Sequence, residues 1–243
     1  MKIINLDNQW FKLDYRIDPK DQFKKDKITL IQQFFINTDK MRNIEIQYCL
    51  KKNLENEYID EILLLNEKIY SDEELGIDKM NNDQKSKIIQ INIKFRLTYK
   101  LAIDYVKNNN LSGYIILSNS DIYLDETIKN IFKTSLYFGN CWYAQLRFEA
   151  YTKQIWENGK IGWAQDTWIF HTNCKIKDTS SLDFNMGRLG CDNVIAYEIA
   201  KRNIYIYNDP YFIKTWHLHK SQNRDYSVKD TIPPPWLIVK PVL

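Results

Sequence analysis

At 243 residues, with 44% hydrophobic and 27% charged residues, the chain suits one sizeable domain and has the composition of an ordinary soluble globular protein. Its formal net charge of +3 argues against a nucleic-acid partner, because such proteins normally carry a clustered basic face. No apolar run reaches the roughly 18 residues that cross a bilayer, and the N-terminus lacks a signal peptide's apolar core. We therefore expect a cytoplasmic protein without a transmembrane segment. Four scattered cysteines without a C-x-x-C pair favour neither disulfides nor a zinc cluster.

The first half of the chain alternates between predicted strands and predicted helices after a polar N-terminal arm at residues 1–27. Apolar periodicity predicts strands at 28–36, 59–65, 88–93 and 114–117, helices at 42–54 and 97–106, and a loop or short helix at 69–83. Such alternation is typical of parallel strands joined by crossover helices, so we predict an α/β fold. No glycine-rich G-x-G-x-x-G or P-loop motif is present, which argues against a dinucleotide or P-loop site.

The second half is less regular. Its pattern predicts helices at 124–136 and 190–201, strands at 141–148, 167–171 and 204–207, a final strand at 213–219, and a Pro-rich tail at 231–235. Residues 151–162 and 172–187 are predicted to be loops.

Polar clusters stand at the ends of several predicted elements. Asn119-Ser120-Asp121 follows the buried strand at 114–117, and open α/β sheets bind ligands at the carboxyl ends of their strands. In His217-x-His219 both imidazoles share one face, because side chains alternate along a strand. Asp192 opens a predicted helix and Asp166 precedes a strand. Plainer interpretations are a helix cap for Asp192, a surface residue for Asp166 and a partly buried polar edge for the histidines.

Six segments in this order resemble the nucleotide-sugar glycosyltransferases of the GT-A fold, and most closely the small glycosyltransferase-like domains of large DNA viruses and some microbes. From about residue 28 to about residue 221, they are ITLIQQFFI, ILLLNE, SNSDIYLDETI, AQDTWIF, GCDNVIAYEIAKRNIYIYN and HLHKS. The resemblance implies one GT-A (Rossmann-like) domain over residues 1–243, with a mostly parallel sheet flanked by helices. A nucleotide-sugar-binding half would occupy 28–125, and a mixed acceptor-binding half 126–243. If the protein is viral, the expected compartment is the host-cell cytoplasm.

The resemblance also implies where a donor and a metal would bind. The family's DxD motif, whose carboxylates hold a divalent metal on the donor diphosphate, would end at Asp121, with Asn119 in place of its first acid. A C-terminal histidine, His219 in preference to His217, would complete the metal site, and such ligands suit Mn²⁺ or Mg²⁺. Arg96 would contact the phosphates. The base and ribose would bind at the strand ends Gln33, Asn66 and Glu67.

An acidic motif at the start of a helix supplies the catalytic base in this family. GCDN at 190–193 stands in that place, which makes Asp192 the candidate base, with Cys191 replacing the usual glutamate. Asp166 is the alternative base or a binder of the acceptor hydroxyl. Trp163 and Trp168 would either stack on a sugar ring or pack in the core.

The function implied is the transfer of a sugar from a nucleoside-diphosphate donor, with UDP expected, to a glycan or protein hydroxyl by a metal-assisted, inverting displacement. Two alternatives stay open. A nucleotidyltransferase would bind nucleotides on a similar sheet, but residues 32–42 (QQFFINTDKMR) lack the glycine-rich basic loop it would carry. A non-catalytic carbohydrate-binding protein with a degenerate transferase fold would explain why Asn119 and Cys191 replace acids.

Overall fold

One seven-stranded sheet runs through both halves of the chain in the computed structural model, which describes residues 3–4, 26–156, 162–220 and 227–242. The strands are β1 (Ile3–Ile4), β2 (Ile28–Gln32), β3 (Glu61–Asn66), β4 (Ile88–Asn92), β5 (Tyr114–Ser118), β6 (Ile122–Leu124), β7 (Cys141–Leu146), β8 (Phe148–Glu149), β9 (Gln165–His171), β10 (Tyr205–Tyr207), β11 (Thr215–His217) and β12 (Trp236–Leu237). The helices are α1 (Lys40–Glu55), α2 (Asp72–Leu75), α3 (Asn82–Lys85), α4 (Tyr99–Asn108) and α5 (Cys191–Ala200).

The sheet has the spatial order β10–β7–β9–β5–β2–β3–β4. Strands β2 to β5 pair in parallel, as does β10 with β7, whereas β9 runs antiparallel to its neighbours β5 and β7. The order reverses between β2 and β5, because the chain first builds outward to β4 and then returns to the other side of β2. Such a reversal leaves a crevice at the carboxyl ends of the two strands.

Helices cover both faces of the sheet and bury its two central strands. Every residue of β2 and β5 is buried. Side chains alternate between the faces, so Leu30 packs in a cluster with α1, and Ile31 packs in a second cluster with α4 and α5. The predicted mostly parallel α/β sheet flanked by helices is therefore confirmed. Among the described helices, none is long and apolar enough to span a membrane.

The N-termini of α1 and α4 are set by side-chain caps. Asp39 accepts a hydrogen bond from Met41 N at 2.8 Å at the start of α1. Thr98 accepts one from Leu101 N at 3.1 Å at the start of α4. These caps satisfy amide groups that have no partner within the helix, so each helix begins at a defined residue beside the crevice.

A second sheet of three strands, in the order β6–β11–β8, stands at the carboxyl edge of the large sheet. Strand β11 pairs antiparallel with β6 and parallel with β8. Within β11, His217 lies opposite Ile122 of β6 on one side and Glu149 of β8 on the other. Strand β11 therefore pairs with the residues that directly follow Asp121, almost a hundred positions earlier in the chain. The small sheet therefore delivers C-terminal residues to the crevice.

The structure corrects several predicted elements in this region. The predicted helix at 124–136 is wrong, because Leu124 belongs to β6 and the following turns are 3₁₀ helices at Glu126–Lys133 and Ser135–Phe138. The strand predicted at 213–219 is confined to β11 and is not the last, since β12 follows the Pro-rich tail and pairs with β1. Most of the predicted N-terminal arm, residues 5–25, lies outside the described residues.

Asn53 of α1 ties the helix to β6. Its side chain is fully buried, donates to Ile122 O at 3.0 Å and accepts from Leu124 N at 2.9 Å. Replacing Asn53→Leu leaves the buried Leu124 N–H without this partner and Ile122 O with Gln32 as its remaining side-chain donor, so we expect the free energy of unfolding to fall by about 1–3 kcal/mol. Urea denaturation measures this loss. The exposed amide variant Asn109→Ala is the control, and an equally small loss in both variants would contradict the role of Asn53.

Candidate functional site

The crevice at the carboxyl ends of β2 and β5 contains a cavity of about 590 Å³. Nearly all of the predicted site residues line it: Gln33, Glu67, Arg96, Asn119, Asp121, Asp166, Asp192, His217 and His219. Asn66 does not line it, because its side chain is fully buried and accepts a hydrogen bond from Phe34 N at 2.8 Å. Its position supports a role in fixing the chain after β2 and gives no support to the predicted contact with the donor.

Asp121 sits in the turn between β5 and β6, where it meets two cationic partners. Its Oδ2 accepts from Arg42 Nη2 at 2.6 Å and lies 3.2 Å from His217 Nε2. His219 approaches the same oxygen, with its Nδ1 at 3.8 Å. The two histidines point to one side, as their spacing predicted. The segment that carries them is fixed by hydrogen bonds from Leu218 N to Asp121 O at 2.9 Å and from Lys220 N to Glu45 Oε1 at 2.6 Å.

Charge pairing sets the protonation of this group. Burial alone would raise the pKa of Asp121, but the charges of His217 and Arg42 hold it far below its usual range. Burial alone would lower the pKa of His217, but Asp121 and Glu149 raise it to about 9. The Asp121 carboxylate is therefore ionised and His217 protonated at neutral pH in the metal-free protein.

The same residues fit a divalent cation. One ligand atom from each of Asp121, His217 and His219 lies within 4.8 Å of the others. Asp121 Oδ1 is buried and has no hydrogen-bond partner among the described residues, so a lone pair is available. His217 Nδ1 lies 3.0 Å from Glu149 Oε2, and such a carboxylate fixes the tautomer that presents Nε2 to a metal. The two imidazoles and one carboxylate oxygen suit a first-row divalent ion such as Mn²⁺.

A second buried carboxylate, Asp166, lies beside Asn119 at the edge between β5 and β9. The antiparallel pairing of these strands places the start of β9 next to the end of β5, and Asn119 N donates to Asp166 O at 3.2 Å. Asn119 Nδ2 donates to Asp166 Oδ1 at 2.8 Å, while Arg147 donates to Oδ2. Arg147 also donates to Glu149 Oε1 at 3.0 Å. Asp166 is therefore a paired, buried carboxylate, which excludes the plain surface interpretation.

Asp192 lies in the first turn of α5 and does not cap it. The N-cap is Gly190, whose φ of 82° and close approach to Ile232 O would exclude a side chain. Burial and the nearby charge of Asp166 raise the pKa of Asp192 well above its usual range. Burial also raises the pKa of Cys191, whose protonated thiol donates to Asp192 Oδ1 at 3.3 Å. The two carboxylates thus differ: Asp166 has a cationic partner, whereas Asp192 has a thiol.

Arg96 and Asn119 converge on Gly187 at another part of the cavity. A Cβ built on Gly187 would lie 3.4 Å from Asn119 Oδ1 and 3.7 Å from Arg96 Nη2. Gln33 supports the loop that carries Arg96, because it donates to Phe95 O at 2.9 Å and accepts from Leu97 N at 3.0 Å. Glu67 is an exposed residue of the cavity wall. Arg96, Asn119 and Gln33 therefore form one connected side of the site.

The two tryptophans near Asp166 have different places. Trp168 is fully buried in the core, edge-on to Tyr99 with ring centroids 6.5 Å apart. Trp163 lines the cavity and packs edge-on against Trp236 at 5.9 Å. The core alternative therefore holds for Trp168, and Trp163 alone of the pair is placed to meet a ligand in the cavity.

The sequence analysis missed four charged residues in or beside the cavity: Arg42, Arg147, Arg188 and Glu149. Arg147 and Glu149 alternate around Phe148, a spacing that could have placed both on one face of an extended segment. Arg42 and Glu45 are three residues apart and lie together on the buried side of α1. Charged side chains are buried only when they are paired, so this spacing could have indicated that Arg42 has an acidic partner in the core.

Comparison with known proteins supports the fold. No protein-family model matches the sequence, and no curated protein matches it either. The mannosyltransferase PcManGT from Pyrobaculum calidifontis, in complex with GDP-Man and Mn²⁺, matches with a TM-score of 0.58 and 13% identity over 90% of this chain and 64% of its own. The chain thus spans less than two thirds of that enzyme.

A nucleotidyltransferase also shares the fold. The inositol-1-phosphate CTP transferase from T. maritima matches with a TM-score of 0.51 and 11% identity over 83% of this chain and 93% of its own. At these identities the likeness concerns the fold alone: a GT-A-like α/β sheet found in glycosyltransferases and nucleotidyltransferases. The resemblance to domains of large DNA viruses stays a prediction from the sequence.

Arg147 is the cation between two carboxylates, and its removal tests the network. Replacing Arg147→Met leaves Asp166 without its charged partner in a buried place, so we expect a loss of about 3–5 kcal/mol in the free energy of unfolding. Arg147→Lys keeps the charge and should lose less. The exposed ion pair of Lys68 with Glu74 supplies the control Lys68→Met, which should cost at most about 1 kcal/mol. Denaturant titration that gives equal losses for Arg147→Met and Lys68→Met would contradict the network.

Proposed function

We propose that this protein is a glycosyltransferase that moves a sugar from a nucleoside-diphosphate donor, with UDP expected, to a hydroxyl of a glycan or protein acceptor. The observation that carries the proposal is the position of two different groups in one cavity at the strand-order reversal. One is the Asp121–His217–His219 cluster, and the other is the pair of unequal carboxylates, Asp166 and Asp192. The first suits a diphosphate leaving group and the second suits proton transfer from an acceptor.

The chain's own residues would hold the donor on the side of Asp121. Arg96 and Asn119, which meet at Gly187, would bind the phosphates and a ribose hydroxyl. A divalent ion, for which the two imidazoles favour Mn²⁺ over Mg²⁺, would be held by Asp121, His217 and His219 and would stabilise the negative charge that grows on the nucleoside diphosphate as the sugar leaves. Glu149 orients His217, and Arg42 keeps Asp121 ionised and in place. The PcManGT complex with GDP-Man and Mn²⁺ supports this use of the shared fold.

Asp192 is the proposed general base. A base works best when its pKa approaches the working pH, and burial beside Asp166 raises the pKa of Asp192 in that direction. Asp166 is paired with Arg147 and Asn119, so it is held in place to position an acceptor hydroxyl. The proposed displacement inverts the anomeric centre, because one base on the acceptor side suffices for it.

A nucleotidyltransferase is the second candidate, since the T. maritima CTP transferase shares the fold. The substrate distinguishes the two. The transferase proposed here releases a nucleoside diphosphate from UDP- or GDP-sugars, whereas a nucleotidyltransferase releases pyrophosphate from a nucleoside triphosphate. A non-catalytic carbohydrate-binding protein would do neither.

Hydrolysis of nucleotide sugars in the presence of Mn²⁺ tests the proposal. We expect slow release of nucleoside diphosphate from a matching donor, and its loss in Asp121→Asn. Glu149→Gln removes the charge that orients His217, so the Mn²⁺ affinity measured by calorimetry should fall by about 10- to 100-fold. The exposed variant Asp72→Asn is the control. Pyrophosphate release from nucleoside triphosphates, or binding of no nucleotide at all, would contradict the proposal.

The pH dependence of turnover tests the base. Asp192→Asn should keep donor affinity and lower turnover by about 100- to 10,000-fold. In the wild type, activity should fall with decreasing pH at a pH above the usual pKa of an aspartate, because a base with a raised pKa becomes protonated at a higher pH. Asp166→Asn removes the neighbouring charge that helps to raise this pKa, so the acid limb should move to lower pH. The exposed control Asp178→Asn should leave the acid limb of the pH profile unchanged. An unchanged acid limb in Asp166→Asn would contradict the assignment of Asp192 as the general base.

A further inference from the structure

The outer side of the small sheet carries a row of aromatic rings. Trp216 lies opposite Tyr123 of β6 and Phe148 of β8 in the strand register, whereas the next residue, His217, lies on the other side with the metal ligands. The rings touch in sequence: Tyr123 and Trp216 have centroids 6.3 Å apart, and Trp216 and Phe148 5.4 Å. The row ends at Tyr211, 5.7 Å from Phe148 and 53% exposed. Strand β11 thus carries a proposed metal ligand on one side and an aromatic ring on the other.

An apolar stripe on α1 continues this row. Met41, Ile44 and Tyr48 are spaced three and four residues apart, so they share one face of the helix, and they are 54%, 56% and 43% exposed. Tyr48 meets Tyr123 edge-on, with centroids 5.9 Å apart. We call the α1 stripe and the ring row together the outer surface. The opposite side of α1 is buried in the core, and within the ring row Tyr123 and Trp216 are half-buried, Phe148 is buried and Tyr211 is exposed.

The outer surface is rigid where the rings meet. The indole of Trp216 donates to Asp125 Oδ2 at 2.8 Å, and the Tyr123 and Trp216 rings lie within 13° of parallel. Asp125 also accepts from Thr127 N at 2.9 Å. Rings held in this way lose little conformational entropy when they are covered, which favours a binding role.

Basic side chains border the outer surface. They are Lys40, Lys51, Lys52, Lys214 and Lys220. The ammonium groups of Lys52 and Lys214 lie 5.7 and 5.8 Å from the rings of Tyr48 and Phe148. Three carboxylates lie close by, where Asp39 caps α1, Asp125 holds Trp216 and Glu55 pairs with Lys52, so the five lysines outnumber them. The border is therefore positively charged.

We propose that the outer surface docks on an anionic lipid surface. Exposed aliphatic and aromatic side chains surrounded by lysines have the chemistry of interfacial membrane contacts, in which apolar groups enter the headgroup region and lysines meet acidic lipids. The lysine border favours an anionic partner over a neutral glycan. The attraction of the lysine border to negative charge favours lipid over an apolar protein face.

The docked orientation would place the cavity close to the lipid. Ile36 is 46% exposed and lines the cavity, and it precedes the α1 stripe. At the other end, His219 lines the cavity and Lys220 lies 5.5 Å from the exposed ring of Tyr151. An acceptor presented by a membrane would thus lie near the cavity mouth. The docking itself does not depend on the proposed transferase reaction.

Vesicle co-sedimentation of the full chain tests the docking. The probes are phosphatidylcholine vesicles with and without phosphatidylglycerol, at low salt. We expect binding to the anionic vesicles and its loss as salt is raised. The double variant Lys51→Gln, Lys214→Gln should bind about 30-fold more weakly, because each lysine at an anionic surface contributes about 1 kcal/mol. Ile44→Ser should also weaken binding.

Matched variants on the opposite face of the large sheet serve as controls. Lys107→Gln with Lys201→Gln removes two lysines from α4 and the end of α5, and Ile89→Ser removes an isoleucine of β4 that is 41% exposed. These variants should bind vesicles as the wild type does. The proposal is overturned if the wild type ignores anionic vesicles. It is also overturned if the controls weaken binding equally, or if soluble oligosaccharide, and not lipid, quenches a tryptophan signal that Trp216→Phe removes.

Discussion

Asp121 is buried against Arg42 and His217, and the arrangement of the cavity depends on that contact. A buried carboxylate is stable only when it is paired, and here it has a guanidinium at 2.6 Å and an imidazole at 3.2 Å. His217 in turn contacts Glu149, Glu149 contacts Arg147, and Arg147 contacts Asp166. Acidic and basic side chains alternate along this path, so each contact joins groups of opposite type. One network thus joins the proposed metal ligands to the proposed acceptor side.

The antiparallel strand β9 makes that network possible. A fully parallel sheet would place the start of this strand at the opposite edge, whereas the observed pairing brings Asp166 beside Asn119 at the crevice. The predicted DxD motif would have an acid at position 119, where the amide of Asn119 donates to Asp166. An aspartate at this position would face Asp166 as a second negative charge. An amide at position 119 and the buried carboxylate on β9 therefore fit each other.

Local pattern was enough to predict the sheet and the residues at its carboxyl edge. The apolar run at 114–117 predicted β5, and the polar cluster after it predicted a site at Asp121, because burial and strand polarity are local properties of the sequence. The contacts of Arg42, Arg147 and Glu149 join separate elements of the fold, such as Glu149 with His217, which depends on the pairing of β11 with β8. The helix predicted at 124–136 failed for the same reason, since tertiary pairing drew Leu124 into a strand.

A crystal structure with UDP and Mn²⁺ tests the central claim most directly. The account predicts an anomalous peak within coordination distance of Asp121, His217 and His219, with the diphosphate extending towards Arg96 and Gly187. Asp192 should then face the remaining space of the cavity on the side away from the diphosphate. An ion bound elsewhere, or a nucleotide outside this cavity with the contact between Asp121 and Arg42 unchanged, would contradict the account.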